Sequence, residues 1–268
     1  MVSLELDARL DNLLSTAQAE TANIDLYKPI PEREECPICL IPLPIDGEEI
    51  IFMTCCGKEI CAGCMGKSFI TAKAKGKEKP SDMKCAFCCE PSSHNDIKKM
   101  KRLMKNNNPL AYNQMALSYE SGDGVFQSDT KALEMYIRAA ELGNADAYVG
   151  IGLYYKEGTA VERDLSKSID FLEVAAKKGS STAHRALASH HQINGNIQNL
   201  IEHMKVAARA GCQDAMNGLK EAYKDKELSK EDLAQTLRAF QASRDNTKSK
   251  DRDYAQALND MAVRLGID

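Results

Sequence analysis

The sequence contains no run of about 18 apolar residues, the length a helix needs to cross a bilayer, and this excludes a spanning segment. It opens Met1-Val2-Ser3-Leu4-Glu5-Leu6-Asp7, without the basic and apolar regions of a secretory leader and without Met-Gly. It closes Leu265-Gly266-Ile267-Asp268, without a prenylation cysteine. The expectation is neither leader nor lipid anchor. With 16 Gly and 8 Pro it is too poor in both for a collagen-like polymer, and 43% hydrophobic content is too high for disorder throughout. No glycine-rich phosphate loop of the P-loop type occurs. The histidines offer no catalytic motif either. His184, His190, His191 and His203 lack a paired cysteine or a hydroxyl nucleophile in a recognisable arrangement, and they read as surface or packing residues. What remains is a chain of 268 residues and net charge −4, long enough for one large domain or two small ones, expected to be intracellular, cytoplasmic or nuclear.

Cysteine is abundant, and it is clustered. Of ten cysteines, nine lie between Cys36 and Cys89, and Cys212 stands apart. A reducing compartment disfavours a disulfide framework, which leaves metal ligation. The order is Cys36-x2-Cys39, Cys55-Cys56, Cys61-x2-Cys64 and Cys85-x2-Cys88. A Cys-x2-Cys pair converges two thiolates on one ion from a tight turn, and two pairs complete a tetrahedral shell. Eight thiolates therefore predict two structural zinc ions with closed shells and no metal-centred catalysis. The 53 residues from Cys36 to Cys88 would struggle to fold on apolar burial alone. Structural zinc contributes about 10–16 kcal/mol per site in peptide systems.

Three stretches carry a family resemblance: Cys36-Pro37-Ile38-Cys39-Leu40, Cys56-Gly57-Lys58-Glu59-Ile60-Cys61-Ala62-Gly63-Cys64 and Cys85-Ala86-Phe87-Cys88. Together they resemble a RING finger, in the all-cysteine variant of the ubiquitin ligase associated with the CCR–NOT deadenylase complex. Most RING fingers have histidine where this chain has Lys58, and a protonated lysine cannot bind zinc. Cys55 and Cys56 then form the middle pair without the usual spacer, with Cys89 and His94 as possible substitutes for Cys55. The resemblance implies a cross-braced fold, Cys36, Cys39, Cys61 and Cys64 on one zinc and Cys55, Cys56, Cys85 and Cys88 on the other. It implies a short helix over 65–73 with Phe69 and Ile70 on its inner face. It also implies a partner, a ubiquitin-conjugating enzyme, docked on the residue between the first two ligands, which is Ile38. The residue after the seventh ligand, often proline, is Ala86, and the basic residue that often follows the last ligand is replaced by Cys89. Those two departures leave a non-enzymatic zinc-dependent adaptor as the alternative.

From Leu110 onward alanine replaces cysteine. A shift of 36 aligns Tyr119 with Tyr155, Gly122 with Gly158, Lys131 with Lys167, Ala139-Ala140 with Ala175-Ala176, and Gly143 with Gly179. A third copy runs from Ala183 through Ala207-Ala208 to Gly211, shortened by four residues at Asn194-Gly195-Asn196, and a diverged fourth starts at Ala215. Two helical patterns per copy predict a stack of helical hairpins. In the first copy Leu133, Tyr136, Ile137 and Ala140 give the second helix its apolar stripe. The Tyr-x2-Gly and Ala-Ala-x2-Gly signatures resemble Sel-like repeats, relatives of tetratricopeptide repeats, which implies a surface for a protein substrate or adaptor.

Residues 1–35 hold eight acidic and three basic residues, with Leu6, Leu10, Leu13, Leu14 and Ala17 on one helical face. An acidic polar face disfavours membrane attachment. Residues 73–105 hold ten basic and four acidic residues, and Ile97, Met100, Leu103 and Met104 stripe a helix whose other face is basic. No aromatics are interleaved with those charges, so nucleic acid is not the expected partner. The expected architecture is a small zinc-bound α+β RING module followed by an all-α helical-repeat solenoid. Its segments are an amphipathic helix at 1–28, the zinc finger at 33–92, a basic linker helix at 93–108, repeats at 109–245 and a helix or tail at 246–268.

Overall fold

The computed structural model describes residues 4–31, 33–44, 50–74, 84–85, 87–90, 97–255 and 257. Helix α1 (Leu4–Thr21) is followed by an antiparallel hairpin, β1 (Ile50–Met53) and β2 (Lys58–Cys61), that sets Ile50 opposite Cys61 and Met53 opposite Lys58. Helix α2 (Ala62–Ala74) continues from β2 without a break. It starts three residues before the expected Met65, which places Cys64 in its first turn, with the Cys64 N–H donating to the Cys61 Sγ at 3.5 Å. Ile70 is exposed rather than inward-facing. The small core here is Leu43, Met53 and Ile60 packed among buried cysteines.

The basic helix α3 (Ile97–Lys105) buries Met100 and Leu103, as its stripe requires. The repeats follow as four helical hairpins: α4 (Pro109–Ser121) with α5 (Asp129–Glu141), α6 (Ala145–Glu157) with α7 (Leu165–Lys177), α8 (Ser181–Ile193) with α9 (Ile197–Arg209), and α10 (Gln213–Lys224) with α11 (Lys230–Thr247). Each first helix of the opening three hairpins starts at a side-chain cap, Asn108, Asn144 or Ser180, that accepts from the backbone N–H three residues on. The alanine doublets are buried in all three, where small side chains let the helices approach. Each doublet ends at a glycine with φ of 91°, 96° and 106° at Gly143, Gly179 and Gly211, which a side chain would strain. The aligned Lys–Tyr pairs also meet: the Lys131 Nζ lies 5.7 Å from the Tyr119 ring centre and the Lys167 Nζ 5.6 Å from that of Tyr155.

Helix α1 lies across the second helices α5 and α7. Leu10, Leu14 and Ala17 are buried in the same apolar cluster as Leu133, Ile137 and Phe171. Its acidic face meets lysines of the repeats, Asp11 with Lys167 at 2.6 Å and Glu20 with Lys178 at 2.8 Å, and its own Arg9 pairs with Glu141 at 2.7 Å. The cysteine-rich unit sits along the edge made by the turns between hairpins. A Cβ at Gly179 would lie 2.9 Å from the Pro31 ring, and one at Gly57 would lie 2.6 Å from the Asn108 Nδ2. Among the described residues no helix is long and apolar enough to cross a membrane.

Candidate metal centre

Two tight loops and one hairpin bring the cysteines together. In the first loop the Leu40 N–H donates to the Cys36 carbonyl at 2.8 Å and the Cys36 N–H to the Ile41 carbonyl at 2.9 Å. The second repeats it, with the Cys89 N–H on the Cys85 carbonyl at 2.9 Å and the Cys85 N–H on the Glu90 carbonyl at 2.7 Å. Leu40 and Cys89 are therefore equivalent, and both lie in the left-handed region, at φ 57° and 61°. Cys55 and Cys56 occupy the turn of the β1–β2 hairpin, where the Gly57 N–H donates to the Met53 carbonyl at 2.7 Å. A hairpin turn can aim two adjacent side chains toward one point, which is why no spacer is needed.

The sulfurs form two groups. Those of Cys36, Cys39, Cys61 and Cys64 lie within 4.8 Å of one another, and so do those of Cys55, Cys56, Cys85 and Cys88. Cys55 joins the second group, whereas Cys89 is exposed and stays outside. Ala86 and His94 fall outside the described residues. Cys212, alone in the sequence, is buried in the core of the last repeats.

The donor set fits zinc. A tetrahedral shell with Zn–S bonds near 2.3 Å has sulfur–sulfur edges of about 3.8 Å. The Cys39 and Cys61 sulfurs are 3.9 Å apart, as are those of Cys56 and Cys85, far beyond a disulfide bond. Burial works to raise the Cys36 thiol, but the N–H groups of Cys39, Cys61 and Ile38 bring it down to about 7. Cys85 follows the same pattern, with the N–H groups of Cys88 and Phe87 outweighing burial. Burial and neighbouring sulfurs push Cys55 and Cys64 upward, and burial pushes Cys56 up to about 11. Cys36 in one group and Cys85 in the other are thus favoured to ionise, against Cys64 and Cys55 beside them. Four thiolates at this spacing need a cation among them.

Two arginines reach this unit from opposite ends of the repeats. The Arg102 Nη2 on α3 donates to the Cys55 carbonyl at 2.9 Å and pairs with Glu90 at 3.2 Å. Arg252, in a helical turn at 250–255, donates to the Pro42 and Ile41 carbonyls at 2.7 and 3.1 Å and lies 3.7 Å from the Cys39 Sγ. Nothing in the local sequence around Arg252 signals this, since its partners lie some 210 positions away.

A second grouping escaped the sequence reading. His184 on α8 and His203 on α9 are both buried, with their Nδ1 atoms 3.0 Å apart, and the His191 ring stacks on His203 at 5.4 Å. Shifting by one repeat would have revealed it. These positions are those of Tyr148, Phe171 and Tyr155 in the preceding copy, where Tyr155 stacks on Phe171 at 5.6 Å. Among the described residues no third metal-ligating side chain converges on this pair.

Residues 109–144 and 145–180, the first two helical hairpins, each match the family model of the Sel1 repeat. Among solved structures the chain is similar to a Sel1 repeat protein from Oxalobacter formigenes, with 24% identity over 69% of this chain and 71% of that one and a TM-score of 0.48. It is also similar to a protective antigen present in uropathogenic Escherichia coli strains that displays an SLR fold, with 24% identity, 55% of this chain and 33% of that one covered, and a TM-score of 0.45. No curated protein matches the sequence.

Proposed function

We propose that the chain is a zinc-dependent RING-type ubiquitin ligase, with a conjugating enzyme docked on the cysteine-rich unit and a substrate or adaptor held by the repeats. The observation that carries this reading is the interleaving of the thiols. The first and third cysteine pairs share one group, and the second and fourth share the other, which is the cross-braced order of a RING finger. Bound zinc supplies charge compensation and shape, through Cys36, Cys39, Cys61 and Cys64 at one site and Cys55, Cys56, Cys85 and Cys88 at the other. The loops then present apolar side chains to a partner. Ile38 is 37% exposed, Leu40 67% and Phe87 49%, with the Lys58 Nζ 5.9 Å from the Phe87 ring centre. The chemistry asked of such a surface is orientation, since restraining a thioester-linked ubiquitin raises the effective concentration of the reactive geometry. The tethered repeats raise the local concentration of the acceptor.

The test is autoubiquitination by the purified protein across a panel of conjugating enzymes, with zinc content measured in parallel. The expected result is product with at least one enzyme, its loss in Ile38→Ala, and two zinc ions per chain in both proteins. Full zinc loading with no product across the panel would reject the reading. One observation favours a non-enzymatic adaptor instead. Cys89, at the position of the basic residue in many active members, is tied by its backbone to the loop, and its thiol is a weak donor. In an adaptor, Cys89→Arg together with Ala86→Pro yields no transfer, whereas a weakened ligase gains it.

A further inference from the structure

We propose that Arg252 and the strap around it, residues 248–255, are a working part of the first zinc site, holding its cysteine loop closed from outside the metal shell. This rests on the zinc reading of Cys36, Cys39, Cys61 and Cys64 and assigns that site a residue from the far end of the chain.

Arg252 is 8% exposed, and both of its Nη atoms are engaged on the loop, while its Nε is buried without a hydrogen-bond partner. One Nη donates at 2.7 Å to both the Pro42 and the Thr247 carbonyl. The other donates at 3.1 Å to the Ile41 carbonyl and faces the Cys39 Sγ at 3.7 Å. Ile41 also accepts the Cys36 N–H at 2.9 Å, the bond that closes the loop carrying Cys36 and Cys39. Arg252 therefore ties a ligand sulfur, the loop-closing peptide and the C-terminal end of α11 together. A planar fork of donors can do this, and a lysine ammonium cannot. A zinc ion with four thiolates carries net negative charge, and a buried cation donating to one thiolate offsets it; such outer contacts tune metal retention.

The strap is seated on α2 as well. A Cβ on Gly63 would lie 2.6 Å from the Arg252 backbone nitrogen, so only glycine, next to ligand Cys64, admits the strap at this distance. The Lys67 Nζ pairs with Asp251 at 2.9 Å one turn further along. Contacts from two elements of the unit, the first cysteine loop and α2, thus converge on Asp251 and Arg252.

The experiment is zinc release from the full-length protein to a chromogenic chelator, with total zinc measured by elemental analysis. Wild type is expected to hold two zinc ions per chain. Arg252→Ala should release one equivalent about 10–100-fold faster and leave the other unchanged, the range seen when an outer contact of a metal site is removed. Arg252→Lys should behave like Arg252→Ala. Gly63→Val, which displaces the strap but keeps the arginine, should accelerate the same equivalent, and adding Arg252→Ala to it should change little further. Two zinc ions released at wild-type rates in all variants would overturn the role of Arg252 and leave the zinc reading standing. Wild type without zinc would overturn both.

Discussion

His184, His203 and His191 replace a tyrosine, a phenylalanine and a tyrosine of the preceding repeat. The stack of His191 on His203 keeps the geometry of Tyr155 on Phe171, but the histidines add titratable nitrogens to an apolar joint. Burial lowers His184 to about 4 and, with the neighbouring histidines, His203 to about 3, both from an ordinary 6.5. Tyr27, whose ring is 5.0 Å from His203, completes the cluster. The folded protein holds these imidazoles neutral while the unfolded chain protonates them below pH 6.5, so the unfolded state binds more protons. Stability is therefore full above that pH and is lost as pH falls toward 4. Between pH 7.5 and 5.5 the expected loss is roughly 1–1.5 kcal/mol per imidazole, about 3 kcal/mol for the pair. Glu59, Asp170 and Glu173, raised by burial, titrate in the opposite sense, so the comparison needs a matched variant. In His184→Tyr with His203→Phe, the aromatic pair of the previous repeat, urea denaturation at the two pH values should lose most of that dependence. Parallel pH profiles for variant and wild type would dismiss the histidines as its source.

Helix α1 shows how an element outside the repeats becomes part of them. Its apolar stripe fills the shallow groove across α5 and α7, and Leu10 at its centre is completely buried. Leu10→Ala should destabilise the chain by about 2–4 kcal/mol, the cost of a buried leucine truncation. Asp11→Asn, which disturbs an ion pair half in water, should cost under about 1 kcal/mol. Equal costs in urea titrations would mean that charge rather than burial seats the helix. The stripe of α1, the alanine doublets and the Cys-x2-Cys pairs were legible because each is a short-range pattern with a local cause: helical period, close helix approach, two ligands from one turn. The hairpin turn that lets Cys55 and Cys56 stand adjacent was not, because its register depends on strands of four residues with no strong alternation. The start of α2 at Ala62 was missed for a related reason, since no capping residue or breaker separates it from β2. The seat of Arg252 and the histidine joint lie further out of reach. Their partners are set by how the solenoid curves and by comparison between copies, not by neighbours in sequence.

At the scale of the whole molecule, the cysteine-rich unit touches the solenoid at its beginning and end. Arg102 and Asn108 meet it before the first repeat, and Arg252 and Asp251 return to it after the last, while Pro31, in the segment leading into the unit, meets Gly179 after the second. A solenoid otherwise gains stability only between neighbouring repeats, so its termini are its weakest parts. Here both termini are tied to the cysteine-rich unit, and if its two cysteine groups hold zinc as proposed above, on the order of 10 kcal/mol or more per ion is available to hold them. Metal removal should then have a distinctive footprint. Chelation under native conditions should raise amide hydrogen exchange in residues 33–90, in α3 and in 248–255. Helices α6, α7 and α8 keep their own apolar core and should remain protected. If exchange rises within the cysteine-rich unit alone, the two parts are independent bodies and the arginine contacts carry no mechanical load. If it rises uniformly, the repeats cannot stand without the metal, and the division into a zinc-built clamp and a self-supporting scaffold fails. The footprint at both ends with a quiet centre is the outcome that a clamp requires, because only a body bridging the termini transmits its loss to residues more than 140 positions apart while sparing those between them.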